Sequence, residues 1–516
     1  MGIVPPSVTE LREIAERYGL SLDDSALASF RDLMAPTLAS YAEVERLHAE
    51  RAPEPLRREH ARPARGENPL NAWCVRTDLR THEDGPLAGR TLVVKDNIAV
   101  GGVPMTNGSR ALRGFVPRAD ATVVTRVLEA GGRIVGKGNC EDLGYSAGSH
   151  TGADGPVRNP WDPERSAGGS SSGPAVLVAT GEVDLALGGD QGGSLRVPAA
   201  FSGVVGHKPT HGLVPCTGAF PMENTLDHLG PIAATVTDVA TLLGVLAGPD
   251  GLDPRQDPGT APADYLAGLD AGVAGLRIGL LTEGFGLPGL SDPRVDAAVS
   301  AAAHRLGEAG AVVSEISVPW HTKGFDVWKV IATDGIAWQM IDGNGLARGV
   351  PGPMDPELVA HFGAGRARHA DAFSETVKLV TLNGAYTLGR YHGAHYAMAR
   401  NLVPDLIAGY DAALSEVDVL VLPTVPHVAN RLPGKQSSRA EYVGAALGMV
   451  HNVAPLDASG HPATAVPVGL LDGLPVSMMI VGPRLRDDLC LRVARAHELA
   501  MGGFPTPRAR RECETR

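Results

Sequence analysis

From residue 87 onward, short β-branched or apolar runs alternate with stretches whose apolar positions recur at helical spacing. Residues 90–94 read as a buried strand that delivers Lys95; 120–130 read as a helix ending at Gly131-Gly132, and 133–137 as the next strand. The pattern continues with a helix over 237–248, strands over 276–281 and 311–316, and a helix over 294–308 between those two strands. A strand over 418–422 ends at Pro423-Thr424, strands follow over 463–467 and 476–481, and a helix covers 488–500. Between them, 322–415 read mostly helical, with aromatics at Phe325, Trp328, Trp338, Tyr386 and Tyr391. Alternation of this kind predicts an α/β sheet covered by helices on both faces.

The first 70 residues follow another rule. Ser7 and Glu10 have the spacing of a capping box, and Leu11, Ile14, Ala15 and Tyr18 then recur at helical spacing. A second helix is expected to start near 21–24 and a third to run over 40–49, while the charged, proline-rich stretch 51–68 reads as a linker. The expected organisation is therefore a helical segment over 1–70 and a main domain over 71–516, with a mostly helical insertion at about 322–415. No repeat of fixed period is visible.

The chemistry concentrates in residues 166–199, where two clusters of glycine and serine flank an apolar segment. The first runs from Gly168 to Gly173; the second, from Gly188 to Ser194, reads GGDQGGS. Successive backbone N–H groups in such turns form an anion-binding concavity, and Ser194 carries a hydroxyl into it. That layout suggests acyl transfer. A flexible linker is a poor fit because the segment between the clusters is too apolar to be solvated. A phosphate loop would need a following lysine that neither cluster has. Gly169 to Gly173 match G-x-S-x-G with Ser171 at the centre, but the preceding proline-rich, charged residues are not the buried strand a nucleophile elbow requires.

Composition narrows the setting. A formal charge of −12 argues against a general nucleic-acid partner. Cys74, Cys140, Cys216, Cys490 and Cys513 are scattered without metal-ligand spacing, which suits a reducing compartment. No signal peptide or membrane-spanning run is visible, so a cytoplasmic location is expected.

The segments GGSSSG, GGDQGGSLRVPAA and FSGVVGHKPTHGLVP, with the upstream run from Leu92 to Ile98, resemble the amidase signature family. The likeness runs along nearly the whole chain and is nearest to bacterial enantioselective amidases of nitrile-degradation pathways. It implies a large mixed sheet covered by helices and a Ser-Ser-Lys relay of Lys95, Ser170 and Ser194, with a cis peptide bond before Ser170. It also implies an oxyanion hole from the amides of Gln191, Gly192, Gly193 and Ser194, and an acyl pocket lined by Tyr145, Leu226, Trp328 and Val450. No metal or organic cofactor is implied. The expected partner is a small-molecule amide, with no nucleic acid and no membrane, and the chain is expected to form a homodimer. Two departures stand out: Ser172 replaces a more usual glycine, and Gln191 stands where Thr or Ile is common.

The residues support these roles. The apolar strand before Lys95 draws it out of water, which lowers its pKa and makes it a general base. Asp190 and Arg196 read as a buried pair that holds the loop. Trp328 lies outside the signature and is expected to vary without harm to the chemistry. Alternatives remain at this stage: an amidotransferase component that donates ammonia to a partner, an amidase dedicated to a biosynthetic intermediate, a binding protein with a dead site, or a triad built on His207, His228 or His461.

Overall fold

The computed structural model describes residues 3–64, 66–346 and 352–507. The chain divides into two compact units, Met1–Pro55 and Leu56–Arg516. In the first, helix Val8–Arg17 begins with the expected capping box at Ser7 and Glu10, and packs Leu11 and Ala15 against Leu27 of helix Asp24–Ala49. Where two helices were expected there is one, continuous through Pro36. The proline removes one backbone donor, but the residues on either side (Ala35, Leu38, Ala39) favour helix and carry it across.

The second unit is built on a sheet whose described strands number twelve. They are β1 (His60–Ala61), β2 (Trp73–Leu79), β3 (Thr91–Lys95), β4 (Arg133–Gly138), β5 (Leu185–Asp190) and β6 (Val205–Lys208), then β7 (His228–Ala233), β8 (Arg277–Leu281), β9 (Val312–Ile316), β10 (Val419–Pro423), β11 (Ala463–Leu471) and β12 (Leu474–Val481). Their order is β1-β2-β4-β3-β5-β7-β6-β11-β12-β10-β8-β9, with β4, β3 and β5 parallel and the neighbours β2 and β7 antiparallel. The sheet is therefore large and mixed. The stretch expected to be a linker supplies β1, whose His60 pairs with Thr77, and Arg58 is held by Asp120.

Alternation along the central strands explains why both faces are covered. Leu92 and Val94 of β3, with Leu185 and Leu187 of β5, join a core that includes Val123 and Val127 of helix Thr122–Glu129 and Leu243 of helix Val236–Leu246. Val93 and Ala186, one residue out of phase, join a separate core with Val176 and Leu177 of helix Ser172–Thr180. A strand buried on both faces reads as a continuous apolar run, as these do. The stretch read as mostly helical, 322–415, falls on the helices Trp320–Ile336, Pro356–His369, Glu375–Tyr391 and Ala394–Glu416 and a π-helical turn Ala337–Asp342.

Candidate active site

Parallel strands in register end together. Leu92 pairs with Leu185 and Val94 with Leu187, so Lys95 at the end of β3 and the Gly188–Asp190 end of β5 come out at the same edge. The carboxyl ends of parallel strands are where α/β sheets place their sites. The 166–171 loop reaches this edge just before helix Ser172–Thr180, and residues 191–195 leave it just before helix Arg196–Ser202.

Lys95 is fully buried, and its Nζ donates to Ser170 Oγ at 2.8 Å and to the Gly189 carbonyl at 3.4 Å. Burial lowers its pKa from 10.5 to about 8, although Cys140, Asp190 and Glu141 oppose the shift. Below the lysine, a buried ion pair between Lys137 and Asp96 at 2.8 Å holds the turn after β3, and Asp96 also accepts from the Thr106 amide. The Gly169–Ser170 peptide is cis. Ser194 is 7% exposed; its carbonyl accepts from the Ser171 amide at 3.2 Å, and its hydroxyl makes no hydrogen bond among the described residues. Lys95 and Ser170 are thus in contact, with Ser194 on the adjoining loop. The rival serine is accounted for: Ser171 Oγ donates to the Gly189 carbonyl at 3.2 Å and lies 3.3 Å from the Gly189 amide, which donates to it.

The loop before Ser194 is held by buried charge. Arg196 bonds Asp190 through Nε at 2.9 Å and Nη2 at 3.1 Å, the pairing its sequence position suggested. It also bonds Asp457 at 2.8 Å and the Val453 carbonyl at 2.9 Å. Burial alone would raise the Asp190 carboxyl, but the Arg196 guanidinium outweighs it and holds the group well below the ordinary carboxylate range. Asp190 in turn accepts the amides of Gly193 and Leu195. Of the four amides expected at the oxyanion hole, Gly193 is therefore committed to a carboxylate. Those of Gln191, Gly192 and Ser194 donate to no described residue.

Trp328, expected only as a pocket wall, also touches the loop before Ser194. Its Nε1 donates to the Gln191 carbonyl at 2.7 Å, so it holds the loop that carries the free amides. The indole lies so close that a Cβ on Gly192 would be 2.4 Å from Cζ2, and a Cβ on Gly193 would be 2.3 Å from Val453 Cγ2. Gly193 also has φ of +115°, a conformation reserved for glycine. These contacts require two glycines before Ser194. Leu226 and Val450 share the apolar core with Trp328, and Tyr145 packs against it. Tyr145 follows Gly144, where a Cβ would be 3.7 Å from Ser170 Oγ, and burial pushes its phenol up to about 12. Val450 accepts from the amides of Val453 and Ala454 in the turn that braces Gly193.

The histidines are engaged elsewhere. His207 bonds Thr464 and Asp487, His228 bonds the Leu226 carbonyl, and His461 bonds Ser459 and Asp411. Sequence reasoning missed Asp457 and the Trp328 tie, because partners more than a hundred residues apart leave no local pattern. Among the described residues no three His, Cys, Asp or Glu side chains are grouped as metal ligands, and no helix is long and apolar enough to cross a membrane. Cys74, Cys140, Cys216 and Cys490 are free thiols, and Cys513 lies outside the described residues.

Known proteins carry the same plan. The amidase family model matches residues 72–491. An enantioselective amidase of Rhodococcus rhodochrous is 47% identical over 508 residues, 98% of each chain. A glutamyl-tRNA(Gln) amidotransferase component from Thermotoga maritima superposes with a TM-score of 0.70 at 32% identity, over 85% of this chain and 91% of that one. Peptide amidase of Stenotrophomonas maltophilia superposes with a TM-score of 0.66 at 30% identity, over 82% and 85%. With a family match spanning most of its length and a relative alike almost end to end, the chain belongs to the amidase family and is an enzyme that hydrolyses amide C–N bonds.

Proposed function

We propose that Ser194 is the nucleophile of a serine amidase that converts R–CO–NH2 and water to R–COOH and ammonia. The observation that carries this reading is the fully buried 2.8 Å contact between Lys95 Nζ and Ser170 Oγ beside the Ser194 loop. With its pKa lowered to about 8, Lys95 is in part a neutral amine near neutral pH and accepts the Ser170 proton as Ser170 takes that of Ser194. The Ser194 oxygen adds to the amide carbon, and the amides of Gln191, Gly192 and Ser194 hold the oxyanion. The proton returns along the same path to the amide nitrogen, the C–N bond breaks, and an acyl group stays on Ser194 until water removes it.

The acyl group rests against Tyr145, Leu226, Trp328 and Val450, which favours apolar acids. The enzyme works in the cytoplasm as a homodimer in this reading, and the free thiols are what a reducing compartment leaves. An amidotransferase component is the weaker reading, since the enantioselective amidase matches 98% of this chain and the amidotransferase structure 85%. A serine-directed fluorophosphonate tests the nucleophile: peptide mapping finds the label on Ser194, and a label on Ser171 overturns the assignment.

A further inference from the structure

Beside the Ser194 loop lies a small cavity of about 20 Å3, room for a water-sized molecule, whose lining includes Asn97, Gln191, Asp227, His228 and Arg255. Its ionisable members are occupied. Arg255 pairs with Asp253 at 2.7 Å and faces Asp227 at 3.7 Å. The His228 ring meets the Leu226 carbonyl at 2.7 Å and Lys208 at 3.4 Å. The two carboxamides differ. Asn97 is 2% exposed and Gln191 6%, yet among the described residues Asn97 Oδ1 and Gln191 Oε1 have no hydrogen-bond partner. Buried acceptors of this kind are costly unless a donor occupies the space they face. Both belong to the reacting region. Asn97 follows Lys95 by two residues, and its Nδ2 lies 3.5 Å from where Gly189 would carry a Cβ. Gly189 is the residue whose carbonyl accepts from Lys95.

We propose that this cavity is the leaving-group site, where the ammonia split from the amide is received with its N–H groups donated to Asn97 Oδ1 and Gln191 Oε1. The inference rests on the reading of Ser194 as the acylated residue. In the step concerned, the proton taken from Ser194 Oγ reaches the amide nitrogen through Ser170 and Lys95, the C–N bond breaks, and neutral NH3 leaves while the acyl group stays on Ser194. Water then adds to the acyl carbon and restores the hydroxyl, releasing the acid. A wall that, among the described residues, has two unfilled acceptors and its charges paired suits a small neutral molecule with N–H donors. The substrate class that follows is primary amides, and small amines such as hydroxylamine enter by the same site as alternative acyl acceptors.

The test uses that second property. With a primary amide as donor, the acyl-enzyme partitions between water, giving the acid, and hydroxylamine, giving the hydroxamate. The hydroxamate-to-acid ratio depends neither on the fraction of protein folded nor on the rate of acylation. Gln191→Met and Asn97→Leu keep side-chain volume and remove the acceptor oxygen, and each lowers the ratio roughly fivefold to tenfold at fixed, subsaturating hydroxylamine, as expected for one lost hydrogen bond. A ratio that falls in neither variant overturns the proposal; a rise means that the cavity holds the attacking water, which overturns it as well. If one variant does not fold, the other decides. The underlying reading is scored separately: hydroxamate formed by the unaltered enzyme and lost in Ser194→Ala supports it, and hydroxamate that persists in Ser194→Ala removes it whatever the ratio does.

Discussion

Replacing Lys95 by Met should abolish activity and stabilise the fold at neutral pH. The side chain is fully buried, and its pKa falls from 10.5 to about 8 because burial disfavours the ammonium. That fall, from 10.5 to about 8, corresponds to about 3 kcal/mol that the folded state bears for carrying the charge. Methionine fills the same space without charge but loses the hydrogen bonds to Ser170 and to the Gly189 carbonyl, together worth about 2 kcal/mol. The net gain is about 1 kcal/mol, or roughly 1 °C in Tm for a chain of this length. The pH dependence gives the sign. The native lysine titrates below the unfolded one, so between pH 8 and 10.5 the unfolded state binds more protons and the natural protein gains stability as pH rises. The penalty is complete below pH 8, about half relieved by pH 9.5, and gone above 10.5. Lys208, also buried and lowered to about 8, is the same in both proteins and cancels. Scanning calorimetry of both proteins at pH 7 and 9.5, at one scan rate, measures the difference. A Lys95→Met protein less stable than the original at pH 7, or a difference that does not shrink at pH 9.5, refutes the reasoning.

Trp328→Phe removes the donor to the Gln191 carbonyl and leaves a buried acceptor unpaired, at about 1–3 kcal/mol. Turnover of propionamide and of a bulky aryl amide should therefore fall together, roughly tenfold to a hundredfold; a loss confined to the aryl amide would make Trp328 a pocket wall only. The same lysine sets the pH profile. Since Lys95 must be neutral to accept a proton, kcat/KM should rise about tenfold per pH unit up to about 8 and then level off, and a profile flat from pH 6 to 9 excludes Lys95 as the base.

Much of the fold was legible where one physical signal acted alone. β3 is a continuous apolar or β-branched run up to Lys95 and β4 opens with Ile134-Val135 after a Gly-Gly turn, and the structure gives both within a residue or two of the expected bounds. The strands that frame the active loop were not legible. β5 contains Gly188 and Gly189 and β7 contains Gly230 and Pro231, residues that ordinarily argue against a strand. Their reason is close packing: a Cβ on Gly188 would be 2.6 Å from Leu195 Cδ2, and one on Gly230 would be 2.4 Å from the His207 carbonyl. The candidate site was readable as motif because its serines and glycines are contiguous. What fixes the loop was not, since Asp457 and Trp328 reach Arg196 and Gln191 from 261 and 137 residues away. The commitment of the Gly193 amide to Asp190 is also a matter of geometry, with no mark in composition.

The central claim is that Ser194 becomes acylated and that Lys95, acting through Ser170, makes it reactive. Acid-quenched mixing with a slowly deacylated amide, followed by mass mapping of the peptides, measures both at once. The account predicts an acyl mass on Ser194 in the unaltered enzyme and none over the same interval in Lys95→Ala or Ser170→Ala. An acyl group on any other residue, or one that forms on Ser194 at an undiminished rate without Lys95, would contradict it.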